Sequence, residues 1–283
     1  MIITHKIAAL TATLTTAMSF LAAPAMAFSV GATNNIETLK NNLLGTNTAG
    51  LSNFSLSITG DARAFGIFTD DPFGLTSGVV LSTGKVTDIP GENRGNSGNL
   101  STDFSAPNVE GDLTQLNLSF FADSTADKLF FKYVFGSEEF LEYAGTSFND
   151  SFELLLNGTN LARLTDGQTV TINNLVPNSG DRSRDNPDYI NNPSVTGLAA
   201  NIIKLDGYTK VLGFEGLLNK NQTNVLSIRL QDVGDGSLDT AVFIQRNVGT
   251  AEAEPVPEPM TVGGLMAGGA MLAAGRKLRA RRK

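Results

Sequence analysis

Leu113-Thr114-Gln115-Leu116-Asn117-Leu118-Ser119-Phe120-Phe121 decides the fold class. Leu116, Leu118 and Phe120 alternate with Asn117 and Ser119, the period of two that a strand with one buried face requires. Runs rich in β-branched and aromatic residues recur at 54–59, 78–83, 128–135, 151–156, 169–172, 208–214, 225–231 and 240–245. Clusters of Gly, Asn, Asp and Pro separate them, as turns separate strands. Roughly eight to ten strands after one early helix predict a mainly β chain, an antiparallel, jelly-roll-like β-sandwich with one short N-terminal helix. That helix is signalled by Asn34 followed by Glu37, a capping-box arrangement. Ile36, Leu39, Leu43 and Leu44 form its apolar face, and Gly45 is placed to close it. Two long polar stretches, 88–108 and 178–193, exceed usual loop lengths and are expected to be functional or mobile. No repeat of fixed period is present.

The ends carry processing information. Lys6, the apolar stretch 7–23 and Ala25-Met26-Ala27 make a signal peptide over 1–27, cut by signal peptidase to leave Phe28 first. At the other end, Val256-Pro257-Glu258-Pro259 precedes a weakly apolar run of 16 residues, 260–275, and then six Lys/Arg over 276–283. As a helix the run spans about 24 Å against roughly 30 Å of hydrocarbon. Five glycines weaken it further. The basic end marks the cytoplasmic side, so the upstream chain lies outside. This arrangement resembles the PEP-CTERM sorting signal of Gram-negative bacteria. The resemblance implies recognition by an exosortase, cleavage near Pro-Glu-Pro and transient inner-membrane anchoring by a transmembrane helix over 260–275. An ordinary single-pass anchor is the alternative.

Between these ends lies one domain, 28–250, with 251–283 as the sorting segment. Signal and tail hold seven of the 21 Lys+Arg and none of the 28 Asp+Glu, so residues 28–275 carry 14 basic against 28 acidic groups, net −14. A body this acidic excludes electrostatic binding of nucleic acid or anionic lipid. There is no cysteine, and the single histidine, His5, falls in the signal peptide. Zinc sites with N/S ligands, cysteine nucleophiles and histidine-based triads are therefore excluded. About 225 residues suffice for one core without disulfides.

Three segments concentrate the chemistry. Phe130-Phe131-Lys132-Tyr133-Val134-Phe135-Gly136-Ser137-Glu138-Glu139-Phe140-Leu141-Glu142-Tyr143 runs from a hydrophobic strand into carboxylates and aromatics, and reaches Phe148-Asn149-Asp150. Gln231-Asp232-Val233-Gly234-Asp235-Gly236-Ser237-Leu238-Asp239 precedes the apolar 241–244, and Leu205-Asp206-Gly207-Tyr208-Thr209 is the third. Carboxylates and Asn amides in Gly-rich loops are the oxygen ligands calcium prefers. The candidate Ca²⁺ set is Glu138 or Glu139 with Asn149, Asp150, Asp232 and Asp235. On a strand Glu138 and Glu139 point to opposite faces, so one of them joins a given site. The competing reading makes Asn and Asp turn caps, with Gly234 and Gly236 supplying positive φ. Phe140, Tyr143 and Phe148 are either a platform for a sugar face or core.

Enzyme-like patterns fail on their details. Residues 78–85 resemble a P-loop but place five residues between the glycines, and Val86 stands where Mg²⁺ needs Ser/Thr. Ser82-Thr83-Gly84-Lys85 has Ser-x-x-Lys spacing at a strand end, without the partner motifs or the helix that chemistry needs. Paired carboxylates can hydrolyse glycosides, but the chain has no tryptophan to hold a sugar.

The three segments, in this order and spacing, resemble the choice-of-anchor L domain, a family of bacterial surface proteins. Gly78-Val79-Val80-Leu81-Ser82-Thr83-Gly84 matches its early motif and Thr171-Ile172-Asn173-Asn174 its middle. The resemblance covers about residues 35–246, with Phe140 where the family more often has Tyr. It implies a β-rich extracellular module with a choice of surface attachments and carries no settled activity. The expected protein is exported, non-enzymatic and sorted to the cell surface or exopolysaccharide matrix, where it adheres to polysaccharide or other surface proteins. A carbohydrate-binding module is the first alternative, and an extracellular hydrolase of matrix polymers the second.

Overall fold

A computed structural model describes residues 27–95, 100–105 and 111–250. Ala25, the Val256-Pro257-Glu258-Pro259 motif and the expected anchoring span 260–275 lie outside the described residues. Among those described, no helix is long and apolar enough to cross a membrane.

The strands are β1 (Ser29–Ala32), β2 (Leu51–Thr59), β3 (Phe65–Thr69), β4 (Ser77–Ser82), β5 (Leu113–Ala122), β6 (Lys128–Ser137) and β7 (Ser151–Leu156). They continue with β8 (Thr159–Asn160), β9 (Tyr189–Asn191), β10 (Gly207–Thr209), β11 (Leu212–Leu217), β12 (Gln222–Gln231) and β13 (Thr240–Gln245). An eight-stranded sheet runs β1-β3-β4-β13-β6-β10-β9, with β11 also beside β6, and a five-stranded sheet runs β2-β5-β12-β7-β8. The paired strands of both sheets are antiparallel, as expected of the sandwich.

The inner layer takes alternate side chains from both sheets. Leu116, Leu118 and Phe120 of β5 meet Tyr133 and Phe135 of β6 and Phe152 of β7 in one core. Phe152 spans the sheets, its ring 5.1 Å from Tyr133 and 6.2 Å from Phe135. Such pairs add about 0.5–1.5 kcal/mol each beyond area burial. The larger sheet is buried on its other face too. Val80, Val134, Ala241 and Phe243 point into a second cluster with Ile89, Leu100, Ile203 and Leu205. This double burial explains why 79–81 and 241–244 read as unbroken apolar runs instead of alternating ones.

Described parts of the two long polar stretches, with Ile89, Leu100 and Ile190, join that second layer. Gly91 N–H donates to Ile202 O (2.9 Å), Asn93 N–H to Ala200 O (2.7 Å) and Lys204 N–H to Ile89 O (3.0 Å). The buried Asn93 amide donates to Asn192 O (2.8 Å) and Asp206 Oδ1 (2.6 Å), and Asn192 donates to Leu205 O (2.8 Å). In the second stretch, the buried Asp188 accepts from Thr165 N–H (2.6 Å) and its hydroxyl (3.0 Å). Backbone groups that could not remain unpaired over an apolar face are thus met by loop and amide partners.

Local expectations need three corrections. The helix α1 (Ile36–Leu43) is capped by Asn35, which accepts from Thr38 N–H (2.9 Å), and Glu37 pairs with Lys40 instead of closing a capping box. It ends on an extended Leu44. Gly45 serves close approach instead, since a Cβ there would strike Asn247. The run 169–172 makes only isolated bridges, at Thr169 and Thr171, and then a single turn α2 (Ile172–Leu175). The Thr171 hydroxyl accepts from Asn174 N–H, and that cap starts the turn where a strand was expected. The run 208–214 divides into β10 and β11, which dock successively along β6.

Candidate acidic site at one end of the sandwich

Register brings six chain segments to the same end. Thr240 pairs with Ser137 and Ala241 with Ser82, while Gln231 pairs with both Leu113 and Ser151. The residues flanking these strand ends therefore gather: Gly84 after β4, Asp112 before β5, Glu138-Glu139 after β6, Asp150 before β7, Asp232 after β12 and Asp239 before β13. Glu138, Glu139, Asp150, Asp232, Asp239 and Asp112 are all buried.

Backbone and hydroxyl donors orient these carboxylates. Asp150 accepts from Val233 N–H (2.9 Å) and from the Thr240 hydroxyl, joining β7 to β13 across the two sheets. With that proton given to Asp150, Thr240 Oγ1 accepts from the Ser137 hydroxyl (2.9 Å). Asp232 Oδ1 accepts from Gly236 N–H (3.3 Å), Asp239 Oδ1 from Thr102 N–H (3.0 Å) and Asp112 Oδ2 from Phe104 N–H (2.8 Å). Three buried oxygens, Glu139 Oε2, Asp232 Oδ2 and Asp239 Oδ2, have no hydrogen-bond partner. None of the ion pairs among the described residues includes Glu139, Asp150, Asp232 or Asp239.

Burial raises five of these acids. Glu139 is pushed up to about 9, by burial first and then by the charges of Asp150, Asp232, Asp235 and Glu138. Asp232 and Asp150 are likewise raised by burial, and Asp150 is the largest charge acting on Asp232. Burial lifts Asp239 to about 7 and Asp112 to about 6.

An open pocket of about 320 Å³ adjoins the cluster, lined by Ser101, Glu139, Tyr143, Phe148, Asp235, Ser237 and Leu238. Four expected site residues, Glu139, Asp235, Tyr143 and Phe148, thus share one cavity. The Tyr143 and Phe148 rings stand edge to face at 5.4 Å. Phe140 takes the core alternative: it is 1% exposed and packs on Tyr189 at 4.7 Å. Asn149 takes the turn role, accepting from Asn173 N–H (2.9 Å) at the start of α2. Gly234 and Gly236 do have positive φ, 124° and 78°.

Glu138 and Glu139 do not alternate as strand residues. β6 ends at Ser137, whose hydroxyl accepts from Glu139 N–H (2.9 Å) and turns the chain, so both carboxylates become buried. Their surroundings still differ, because Glu138 Oε2 accepts from Leu100 N–H whereas Glu139 faces Asp150, Asp232 and Asp235. Asp239, Asp112 and Thr240 were missed by sequence reasoning. Asp239 and Asp112 sit just before strands as Asp150 does, a recurrence that could have marked them. Among the described residues, no three acids are placed to hold a metal ion as they stand.

What this end offers is carboxylate and hydroxyl oxygen beside two aromatic rings, a surface suited to cations and polyols. No curated protein and no solved structure matches the chain. A family model does: residues 29–248, most of the chain, match the Choice-of-anchor L domain, and the chain belongs to that family.

Proposed function

We propose that the protein is an exported, non-enzymatic module of the bacterial cell surface or its extracellular matrix, which attaches through the pocket end of the sandwich. Family membership supports the surface association. The observation that carries attachment is the pocket itself, where Tyr143, Phe148, Glu139 and Asp235 meet in an acidic body. Ser101 and Ser237 line it as well, with no histidine or cysteine in residues 28–283 to activate them. In this reading signal peptidase removes 1–27 and an exosortase acts at Val256-Pro257-Glu258-Pro259. The span 260–275 holds the chain in the inner membrane only during sorting. The partner is extracellular polysaccharide or another surface protein.

Fractionation of producing cells tests the reading. Recovery in the surface or matrix fraction, with loss of retention for Tyr143→Ala at unchanged folding, is the expected result. Recovery only in the cytoplasm would overturn it. The edge-to-face Tyr143–Phe148 pair favours carbohydrate as the partner, since an aromatic face can stack on a sugar ring. A glycan array on which wild type binds and Tyr143→Ala does not would select that version. Release of reducing sugar from host exopolysaccharide would select the hydrolase reading instead.

A further inference from the structure

We propose that the space between the end of β6 and the β12–β13 loop binds a divalent cation of the calcium class, anchored by Glu139 Oε2 and Asp232 Oδ2. Both side chains are almost completely buried, 2% and 1% exposed, and both oxygens lack any donor. Buried acceptors are nearly always paired, so two unmet carboxylate oxygens in one acidic neighbourhood call for a positive partner. Asp232 is held for this role: Gly236 N–H fixes Oδ1 and leaves Oδ2 free. Asp150 has both oxygens engaged, by Val233 N–H and the Thr240 hydroxyl, and so contributes charge and orientation instead of a free ligand atom. Asn149 is spent on Asn173 and drops out of the expected ligand set.

The donor chemistry selects the ion. Residues 28–283 contain no His or Cys, which removes the ligands a structural zinc site uses. Carboxylate, hydroxyl, backbone and water oxygens in adaptable geometry are what Ca²⁺ accepts, whereas Mg²⁺ demands a tighter octahedron. Since no three acids among the described residues converge as they stand, the ion would recruit Asp235, which already lines the pocket beside Glu139. The β12–β13 loop that carries it has positive φ at Gly234, Gly236 and Leu238. The inference is independent of what the surface attaches to.

The exported protein, stripped with EGTA and then titrated with CaCl₂, tests it. At calcium about 100-fold above Kd the Tm should rise by about 5–10 °C. Glu139→Gln and Asp232→Asn should each weaken binding at least tenfold, and each should melt no lower than wild type in EGTA, because an amide of the same shape has no charge to bury. An unmoved wild-type Tm, an undiminished response in both variants, or an equal response to Mg²⁺ would overturn the assignment. Should the variants fail to fold, terbium replaces them. The chain has four tyrosines and no tryptophan, and Tyr143 lines the pocket. Tyrosine-sensitised Tb³⁺ emission that calcium displaces and Tyr143→Phe abolishes places the ion here, and emission unaffected by Tyr143→Phe places it elsewhere.

Discussion

Replacing Asn93 by Asp changes one buried amide into a carboxyl of the same shape and should make stability steeply pH-dependent. Asn93 is 1% exposed, and its Nδ2 donates to Asp206 Oδ1 at 2.6 Å and to Asn192 O at 2.8 Å. Asp206 is already raised to about 7, by burial first and then by Glu142 and Glu138, with the Asn93 hydrogen bond pulling the other way. Asn93→Asp removes that donor and sets a second carboxyl against the first. At pH 8, losing a hydrogen bond to a charged group costs about 1.5–3 kcal/mol, and leaving Asn192 O unmet about 1–3 kcal/mol more. The penalty is then about 3–6 kcal/mol, a large part of a typical 5–15 kcal/mol. At pH 5 the two carboxyls can share a proton, the hydrogen bond is restored, and the penalty falls to about 1–3 kcal/mol. The sign follows from linkage: an acid whose folded pKa is raised binds more protons folded than unfolded, so stability is lost as pH rises from the unfolded value through the folded one. For Asp206 that window is about 3.8 to 7, and the variant extends it upward. Urea unfolding of wild type and variant at pH 5 and pH 8, followed by circular dichroism, measures the difference. A penalty equal at the two pH values, or below about 1 kcal/mol at pH 8, would refute the reasoning.

Phe152→Ala should cost about 3–5 kcal/mol by urea unfolding, because the ring joins β7 to Tyr133 and Phe135 of the opposite sheet; a loss under 1 kcal/mol would deny that role. Gly78→Ala should prevent normal pairing of β4 with β13, since its Cβ would enter the Ile244 carbonyl, and a variant with wild-type Tm would contradict the register. Thr240→Val should cost about 1–3 kcal/mol by leaving Asp150 short of a donor and the Ser137 hydroxyl short of an acceptor, again read by urea unfolding. Replacing Pro257 and Pro259 by Ala should leave the exported protein with its Arg281-Arg282-Lys283 end, visible by intact mass; unchanged processing would argue against recognition of that motif.

Strands with one buried face were legible because a period of two survives in a single sequence: β5 and β7 fall within a residue of their expected bounds. β13 was equally clear as a dense apolar run. β1, β3, β8 and β9 were not foreseen, since each is short and draws its order from a neighbour, as β3 does from β4. The 169–172 run misled for a related reason. Thr and Val favour strands, but a threonine cap and two asparagines decided the local geometry. At the site, sequence spacing could mark acids but not gather them. Which acids meet depends on Thr240 pairing with Ser137 and Gln231 with Ser151, and long-range register of that kind leaves no local trace.

The energetic asymmetry of the molecule also argues that this end has a purpose. Phe, Leu, Val and Ile fill both faces of the larger sheet, so apolar residues could have closed its end as well. A buried carboxylate without a counter-charge destabilises a fold more than an apolar replacement of similar volume does. Glu139, Asp150, Asp232 and Asp239 are nonetheless placed together, braced by backbone N–H groups and the Thr240 hydroxyl, and three oxygens are left unmet. Three of the seven buried side-chain atoms without a partner among the described residues fall in this one cluster, and local rules broken together are what a functional site looks like. Part of the acidity of residues 28–275, net −14, is therefore folded inward, where the proposed cation would offset it.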